Sequence, residues 1–141
     1  YINTNQSFAF ADGTVTASYG TATPKAHADT LFTAQDETDG LGTEGEVATR
    51  GLKYNLIKDL KSQVANELAK TDWYVTRNTE KSTAIPSAIS THRDAVRTKQ
   101  ASMEAQITGA ADTAALETLY THTTTDGVQS RPLGELPVLE S

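Results

Sequence analysis

Apolar residues recur with a helical repeat from about residue 49 onward. One row has an apolar side chain at every fourth position and comprises Leu52, Leu56, Leu60, Val64 and Leu68. Because an α-helix has ~3.6 residues per turn, a strict four-residue spacing drifts by ~40° per turn, and the apolar stripe winds around the helix. The pattern predicts an amphipathic helix that begins near Thr49, ends near Ala69 or Lys70, and contacts more than one neighbour.

A second helix is predicted from Pro86 to Gly109. The restricted φ of proline suits a first helical position. The apolar positions form a narrow seam, closer to a coiled-coil stripe than to a broad core face, and comprise Ile89, Val96, Met103 and Ile107. His92 lies beside this seam and is interpreted as a partly buried packing residue.

A short third helix is predicted after the break at Gly109. Asp112 can accept a hydrogen bond from the backbone of the first turn. The apolar positions that follow are Ala115, Leu116, Leu119 and Tyr120.

The two ends of the chain carry strand and turn patterns. Phe8 and Phe10 precede Asp12-Gly13, and alternating apolar residues follow it, so the segment predicts a β-hairpin. An isolated hairpin is marginal in water, and this one must therefore lie on another surface. Residues 20–30 are interpreted as an extended connector and Asp36–Gly45 as a loop.

After His122, the Asp126-Gly127 pair predicts a second hairpin or bend, followed by an apolar, proline-bracketed tail. Such a tail is ordered only where it docks, on its own domain or on another subunit. We expect residues 1 to about 30 and 123–141 to make most of their contacts with other subunits. The expected fold class is mainly α, with a helix-loop-helix (helical hairpin) body and a short third helix. The expected regions are an extended N-terminal arm with a β-hairpin (1–48), a helical module (49–121) and an extended C-terminal tail (122–141).

Composition excludes several classes of partner. The chain has 141 residues, the size of one ordinary domain, and its net charge is −6. An acidic balance disfavours nucleic acid, which needs a basic stripe to neutralise its phosphates. No apolar run approaches the ~20 residues that span a bilayer. The first residues lack a secretory-signal pattern, so the expected environment is cytoplasmic.

Candidate chemistry is sparse. The chain has no cysteine, and His27, His92 and His122 are far apart. The acidic loop from Asp36 to Glu46 does not match the spacing of a calcium loop. No serine lies in a nucleophile elbow, and no glycine loop has phosphate-binding spacing. We therefore expect no catalytic residue, no cofactor and no metal.

The segment around the single tryptophan, Trp73, has two interpretations. In the first, Trp73 and Val75 fill the gap between the two helices, with Trp73 mostly buried near Leu68 and Ile89, while Arg77 caps a carbonyl or meets a carboxylate. In the second, Tyr74 and Arg77 face outward and anchor a partner, because Trp, Tyr and Arg are enriched at interface hot spots.

The run Leu68–Arg77, continued by Glu80, Ile85-Pro86, His92-Arg93 and Arg97, resembles a short module of tailed-bacteriophage proteins. In that module a helix ends in Thr-Asp-Trp, a variable loop follows, and a second helix begins after Ile-Pro or Val-Pro. The module occurs in tail assembly chaperones, tail fibre assembly proteins and virion structural proteins. The similarity covers about residues 52–107. Lys81-Ser82 stands where the module often has Gly, and His92 where it usually has an aromatic residue.

The resemblance implies two functions. In the first, the chain is a non-enzymatic structural protein of the virion, in the tail, fibre, neck or capsid, and its arms bind other phage structural proteins within a homo-oligomeric assembly. It would then occur in the virion and, during assembly, in the host cytoplasm. In the second, it is a tail or tail-fibre assembly chaperone that leaves before maturation. A small helical domain of unrelated role stays open as a third possibility. The interaction candidates are Trp73, Tyr74, Arg77, Phe8, Phe10 and Leu136.

Overall fold

The computed structural model describes residues 1–3 and 5–139. Across these residues the chain forms five helices and six short strands, and it is 46% helical and 17% strand. The helical share exceeds the strand share, in line with the mainly α class expected from the sequence. The elements in chain order are β1 (Ser7–Ala11), β2 (Thr14–Ser18), β3 (Thr30–Leu31), α1 (Ala34–Thr38), β4 (Val47–Thr49), α2 (Leu52–Ala69), α3 (Asp72–Lys81), α4 (Ser87–Gly109), α5 (Thr113–Tyr120), β5 (Thr123–Thr125) and β6 (Val128–Ser130).

The chain divides into two compact units, Tyr1–Leu52 and Lys53–Ser141. In the first unit, β1 and β2 pair antiparallel around Asp12-Gly13. Both turn residues have positive φ, 49° at Asp12 and 76° at Gly13. This backbone favours aspartate and glycine, and it matches the right-handed twist of the two strands.

The interpretation of Asp36–Gly45 as a loop is wrong at its start, because α1 covers Ala34–Thr38. Thr33 and Asp36 form a capping box: the hydroxyl of Thr33 accepts from the backbone N–H of Asp36, whose carboxylate accepts from the N–H of Thr33 at 2.8 Å. Five residues are too few to give a readable apolar period. The interpretation of residues 20–30 as an extended connector is wrong at its last residue, because Thr30 belongs to β3, which pairs with β4.

The second unit is built on α2 and α4, which run antiparallel. Lys53, near the start of α2, donates to the carbonyl oxygen of Thr108, near the end of α4. At the other end, Arg93 on α4 donates to the carbonyl oxygen of Leu68 on α2. Contacts at both ends therefore align the two helices along their length.

The core of this unit follows the predicted seam. The seam residues Ile89, Val96, Met103 and Ile107 are all buried, which confirms the seven-residue pattern. From the four-residue row of α2, Leu60 and Val64 are buried, while Leu52, Leu56 and Leu68 are half-buried. A stripe that winds around its helix leaves its ends only partly covered. Leu116 of α5 is also buried in this core. Asp112 caps α5, because its carboxylate accepts a hydrogen bond from the backbone N–H of Ala115 at 2.8 Å.

Part of the C-terminal tail packs against the helices of the second unit. Leu133 is 1% exposed, and its N–H donates to the carbonyl oxygen of Leu119 at 3.1 Å. A turn that is closed by the N–H of Gly134 on the carbonyl of Arg131 directs this leucine inward. The expectation that this tail mainly contacts other subunits is therefore wrong for Leu133. Farther along, Leu136 is half-buried and Val138 is 77% exposed.

The region between α2 and α4 is helical, whereas the sequence predicted a loop. Asp72–Lys81 forms α3, and the loop is reduced to residues 82–86. Ser82 ends α3 with a φ of 52°, a left-handed conformation that glycine adopts at lower cost. The side chain of Asn78 supports the loop by donating to the carbonyl oxygen of Thr83.

The junction of α2, α3 and α4 depends on the guanidinium of Arg93, which is 9% exposed. Its Nη1 donates to the carbonyl oxygen of Leu68 at 2.9 Å and to the hydroxyl of Thr71 at 2.7 Å. It also lies 2.9 Å from the carboxylate of Asp72. Arg93 therefore satisfies the end of α2, binds the first residue of α3 and belongs to α4. We call this set of contacts the Arg93 junction.

Replacement of Arg93 by alanine tests this junction. Arg93→Ala removes the charged donor from the part-buried carbonyl of Leu68 and from the buried hydroxyl of Thr71, so we expect a loss of about 2–3 kcal/mol in the free energy of unfolding. Urea denaturation followed by circular dichroism measures it. Arg97→Ala is the matched control, because Arg97 is half-exposed and pairs on the surface with Asp94. The control should lower the free energy of unfolding by no more than about 1 kcal/mol. Equal stability of both variants would contradict this role of Arg93.

Candidate interaction site around Trp73

Trp73 lies on the first turn of α3 and is 51% exposed. The expectation that it is buried near Leu68 and Ile89 is wrong. The interior of the junction is occupied instead by Thr71, which is 2% exposed, and by the guanidinium of Arg93. Because these two residues fill the space between the helices, the indole is left on the surface. Thr71 lies three positions after Leu68, the last residue of the apolar row, and this helical spacing is the sequence signal that the tryptophan obscured.

Three sequence-predicted site residues come together on α3. The rings of Trp73 and Tyr74 have centroids 3.7 Å apart and an interplanar angle of 32°. The guanidinium carbon of Arg77 lies 4.8 Å from the centroid of Trp73 and 5.3 Å from that of Tyr74. Residues three and four apart are neighbours on a helix surface, so the helix brings Arg77 to both Tyr74 and Trp73. The contacts are cation–π interactions, worth about 0.5–1 kcal/mol at exposed sites.

The environment of Arg77 differs from both sequence interpretations. Its buried Nε atom has no hydrogen-bond partner among the described residues, so neither the expected carbonyl nor the expected carboxylate is bound to this atom. Tyr74 and Arg77 are half-buried, whereas Trp73 and Val75 are exposed. The outward-facing part of the cluster is therefore apolar, with a cation beneath its rings.

This arrangement is suited to binding a protein partner. An exposed indole offers a large apolar area that a partner surface can desolvate. A guanidinium already held over aromatic rings loses little side-chain entropy when it gains an acceptor. We call Trp73, Tyr74 and Arg77 the α3 cluster.

The other interaction candidates lie apart from this cluster in the chain. Phe8 and Phe10 belong to the first unit, where they are 67% and 74% exposed on β1. Leu136 belongs to the second unit and is half-buried. The candidates therefore define an exposed aromatic pair on β1 and the α3 cluster, with Leu136 in a partly packed tail.

A buried polar cluster near the Arg93 junction was not predicted as a unit. His92 is 8% exposed, which confirms its interpretation as a packing residue, and its Nε2 lies 3.4 Å from a carboxylate oxygen of Glu67. Glu67 also accepts a hydrogen bond from Lys70, which is the main cause that lowers its carboxyl pKa, with a smaller contribution from His92. A lowered pKa means that the stabilisation is present above the ordinary titration range of glutamate and is lost as acidification protonates the carboxylate.

The described residues offer little for other kinds of site. Among residues 1–3 and 5–139, no group of three or more His, Cys, Asp or Glu side chains could hold a metal ion. None of the helices within this part of the chain combines the length and apolar character needed to cross a bilayer.

Comparison of the chain with protein-family models, with curated proteins and with solved structures finds no match in any of the three.

Replacing the exposed tryptophan tests whether the α3 cluster is a surface feature. We expect Trp73→Ala to lower the free energy of unfolding by only about 1 kcal/mol, because the main loss is one cation–π contact. Thermal and urea denaturation measure it. Ile107→Ala is the control for a core truncation, since Ile107 is fully buried, and it should cost about 2–5 kcal/mol. If Trp73→Ala is as destabilising as the control, Trp73 supports the fold and is not a free surface for a partner.

Proposed function

We propose that this chain is a non-enzymatic structural subunit of a tailed-phage virion, located in the tail, fibre, neck or capsid, and that it binds neighbouring subunits through exposed apolar surfaces. The observation that carries the proposal is the hairpin of β1 and β2, in which every residue is exposed, including Phe8, Phe10 and Val15.

Physical arguments support this use of the hairpin. Large apolar side chains grouped on one element are uncommon on monomeric proteins, unless the element binds something. Two isolated strands are marginal in water and need a further surface for stability. A subunit of an assembly meets both conditions, because its neighbours supply the missing surface.

The resemblance to the phage module is a second support. The residues that carry it include Thr71, Asp72 and Arg93, which contact one another in the Arg93 junction. It also spans Lys81-Ser82, where the module often has Gly, and Ser82 has the left-handed backbone that favours glycine. The shared pattern therefore has a physical role in joining the helices.

The alternative function is a tail or tail-fibre assembly chaperone that is not retained in the particle. The observation that favours it is the α3 cluster, an exposed indole with a cation beneath it on a helical unit that has its own core. Such a surface can bind and release a client without the ordering of a long segment. In that case the partner would be an unassembled tail or fibre protein.

Quantitative mass spectrometry of purified phage particles distinguishes the two functions. For a structural subunit we expect a constant ratio of this chain to the major capsid protein across the fractions of a density gradient that contain particles. The infected-cell lysate is the control, because it contains the chain in both cases. Presence in the lysate together with absence from the particles would contradict the structural role and favour the chaperone.

A second experiment tests whether the exposed hairpin of β1 and β2 binds neighbouring subunits. Particles should incorporate less of the Phe8→Ser/Phe10→Ser variant than of Ala9→Ser, which changes the opposite face of the same strand. Equal incorporation of the two variants would show that the hairpin does not bind the neighbours.

A further inference from the structure

Beyond the hairpin of β1 and β2 the chain forms an isolated antiparallel bridge. Ser7 pairs with Ser18 and Ala11 with Thr14. Ile2 and Thr23 continue the same register and exchange two backbone hydrogen bonds, of 2.7 and 2.9 Å. We call β1, β2 and the Ile2–Thr23 pair the N-terminal ribbon.

The N-terminal ribbon has two unlike faces. Because side chains alternate along a strand, cross-strand partners share a face. One face carries the apolar pairs Phe8–Ala17 and Phe10–Val15. Tyr19 follows two residues beyond Ala17, and its hydroxyl accepts a hydrogen bond from the side chain of Gln6. The other face carries only small residues, namely Ser7, Ala9, Ala11, Thr14, Thr16 and Ser18. The ribbon is therefore amphipathic, although its apolar face is open to solvent.

The charge of this segment restricts what can cover the apolar face. Asp12, in the turn, is the only charged side chain among residues 1–24. Free strand edges in monomeric proteins are usually protected by charged residues, especially lysine, or by proline. Here β1 and β2 carry neither. A partner selected by charge has nothing to recognise, whereas a second uncharged ribbon meets no like-charge repulsion.

The available area also suits a second copy. Three aromatic residues, each about two-thirds exposed, present roughly 400 Å² of surface. Val15 and Ala17 extend the face to roughly 500 Å². Two identical faces would bury roughly 1,000 Å², which is the lower bound for a specific interface.

We propose that the apolar face of the N-terminal ribbon packs against the same face of a second copy of this chain, around a two-fold axis. This deepens the proposed function and rests on it, because it names the partner of the exposed hairpin. A two-fold contact needs a self-complementary patch, and the aromatic residues of one copy would pack between those of the other. The full chain is then a concentration-dependent dimer, with a dissociation constant on the order of 10 μM.

Sedimentation velocity of the full chain tests the dimer. Between about 1 and 100 μM, a range that brackets this dissociation constant, the weight-average mass should rise from slightly above that of one chain towards that of two. The Phe8→Ser/Phe10→Ser variant should stay monomeric throughout the range. Ala9→Ser, on the opposite face, should associate like the parent protein. Circular dichroism of all three proteins should be equal, since both phenylalanines lie on an exposed ribbon.

Cross-linking identifies the face without relying on the phenylalanine variants. The chain has no cysteine, so a single introduced thiol reports one position. With a short bis-maleimide reagent, Ala17→Cys on the apolar face should give a covalent dimer in high yield, and Thr16→Cys on the other face should not. Equal yields at the two positions, or a parent protein that is monomeric at the highest concentration, would overturn the proposal.

These outcomes are separable from those of the particle analysis. A monomer that is nevertheless present in purified particles would reject the second copy as partner and leave the structural role standing, with a different protein on the ribbon. A dimer that is absent from particles would reject the structural role and retain the ribbon contact.

Discussion

The arrangement of the helices depends on one buried cation. Arg93 reaches from α4 to the end of α2 and to the start of α3, where it donates to Leu68 and Thr71 and pairs with Asp72. A charge at this depth is tolerated because several oxygens surround it and one of them is ionised. Thr71 and Arg93 occupy the junction, and Trp73, two residues after Thr71, lies outside it and is exposed.

The helical unit and the N-terminal ribbon leave different kinds of surface for a partner. The helical unit encloses its own apolar seam and also the side chain of Leu133 from the tail. The α3 cluster, on the first two turns of α3, lies outside this core, and its tryptophan is exposed. The N-terminal ribbon has no comparable core, since its aromatic residues are exposed. The helical unit has a buried apolar core, whereas the N-terminal ribbon, in the first unit, has a solvent-exposed apolar face.

The sequence predicted those elements whose signals are local and repeated. The seven-residue spacing from Ile89 to Met103 located the core face of α4, and Asp112 located the start of α5. It failed where long-range geometry decides the outcome. Ten residues with a tryptophan but no clear period gave no sign of α3, and the five residues of α1 were too few. Burial of Trp73 was inferred from its size, whereas the space was filled by Thr71 and by Arg93, which lies 22 positions beyond Thr71. The contacts of Arg77 with Trp73 and Tyr74 follow from spacings of four and three residues only once the segment is a helix, and the sequence did not predict that helix.

The central claim is that a self-contained helical unit is joined in sequence to a ribbon that needs a partner. Amide hydrogen exchange of the full chain, measured in dilution and at high concentration, tests it most directly. In a verified monomer the amides of α2 and α4 should be strongly protected, while those of Phe8 and Phe10 exchange rapidly, and concentration should slow exchange only in the ribbon. Strong protection of Phe8 and Phe10 in the dilute monomer would contradict the account, because the ribbon would then be stable without a partner.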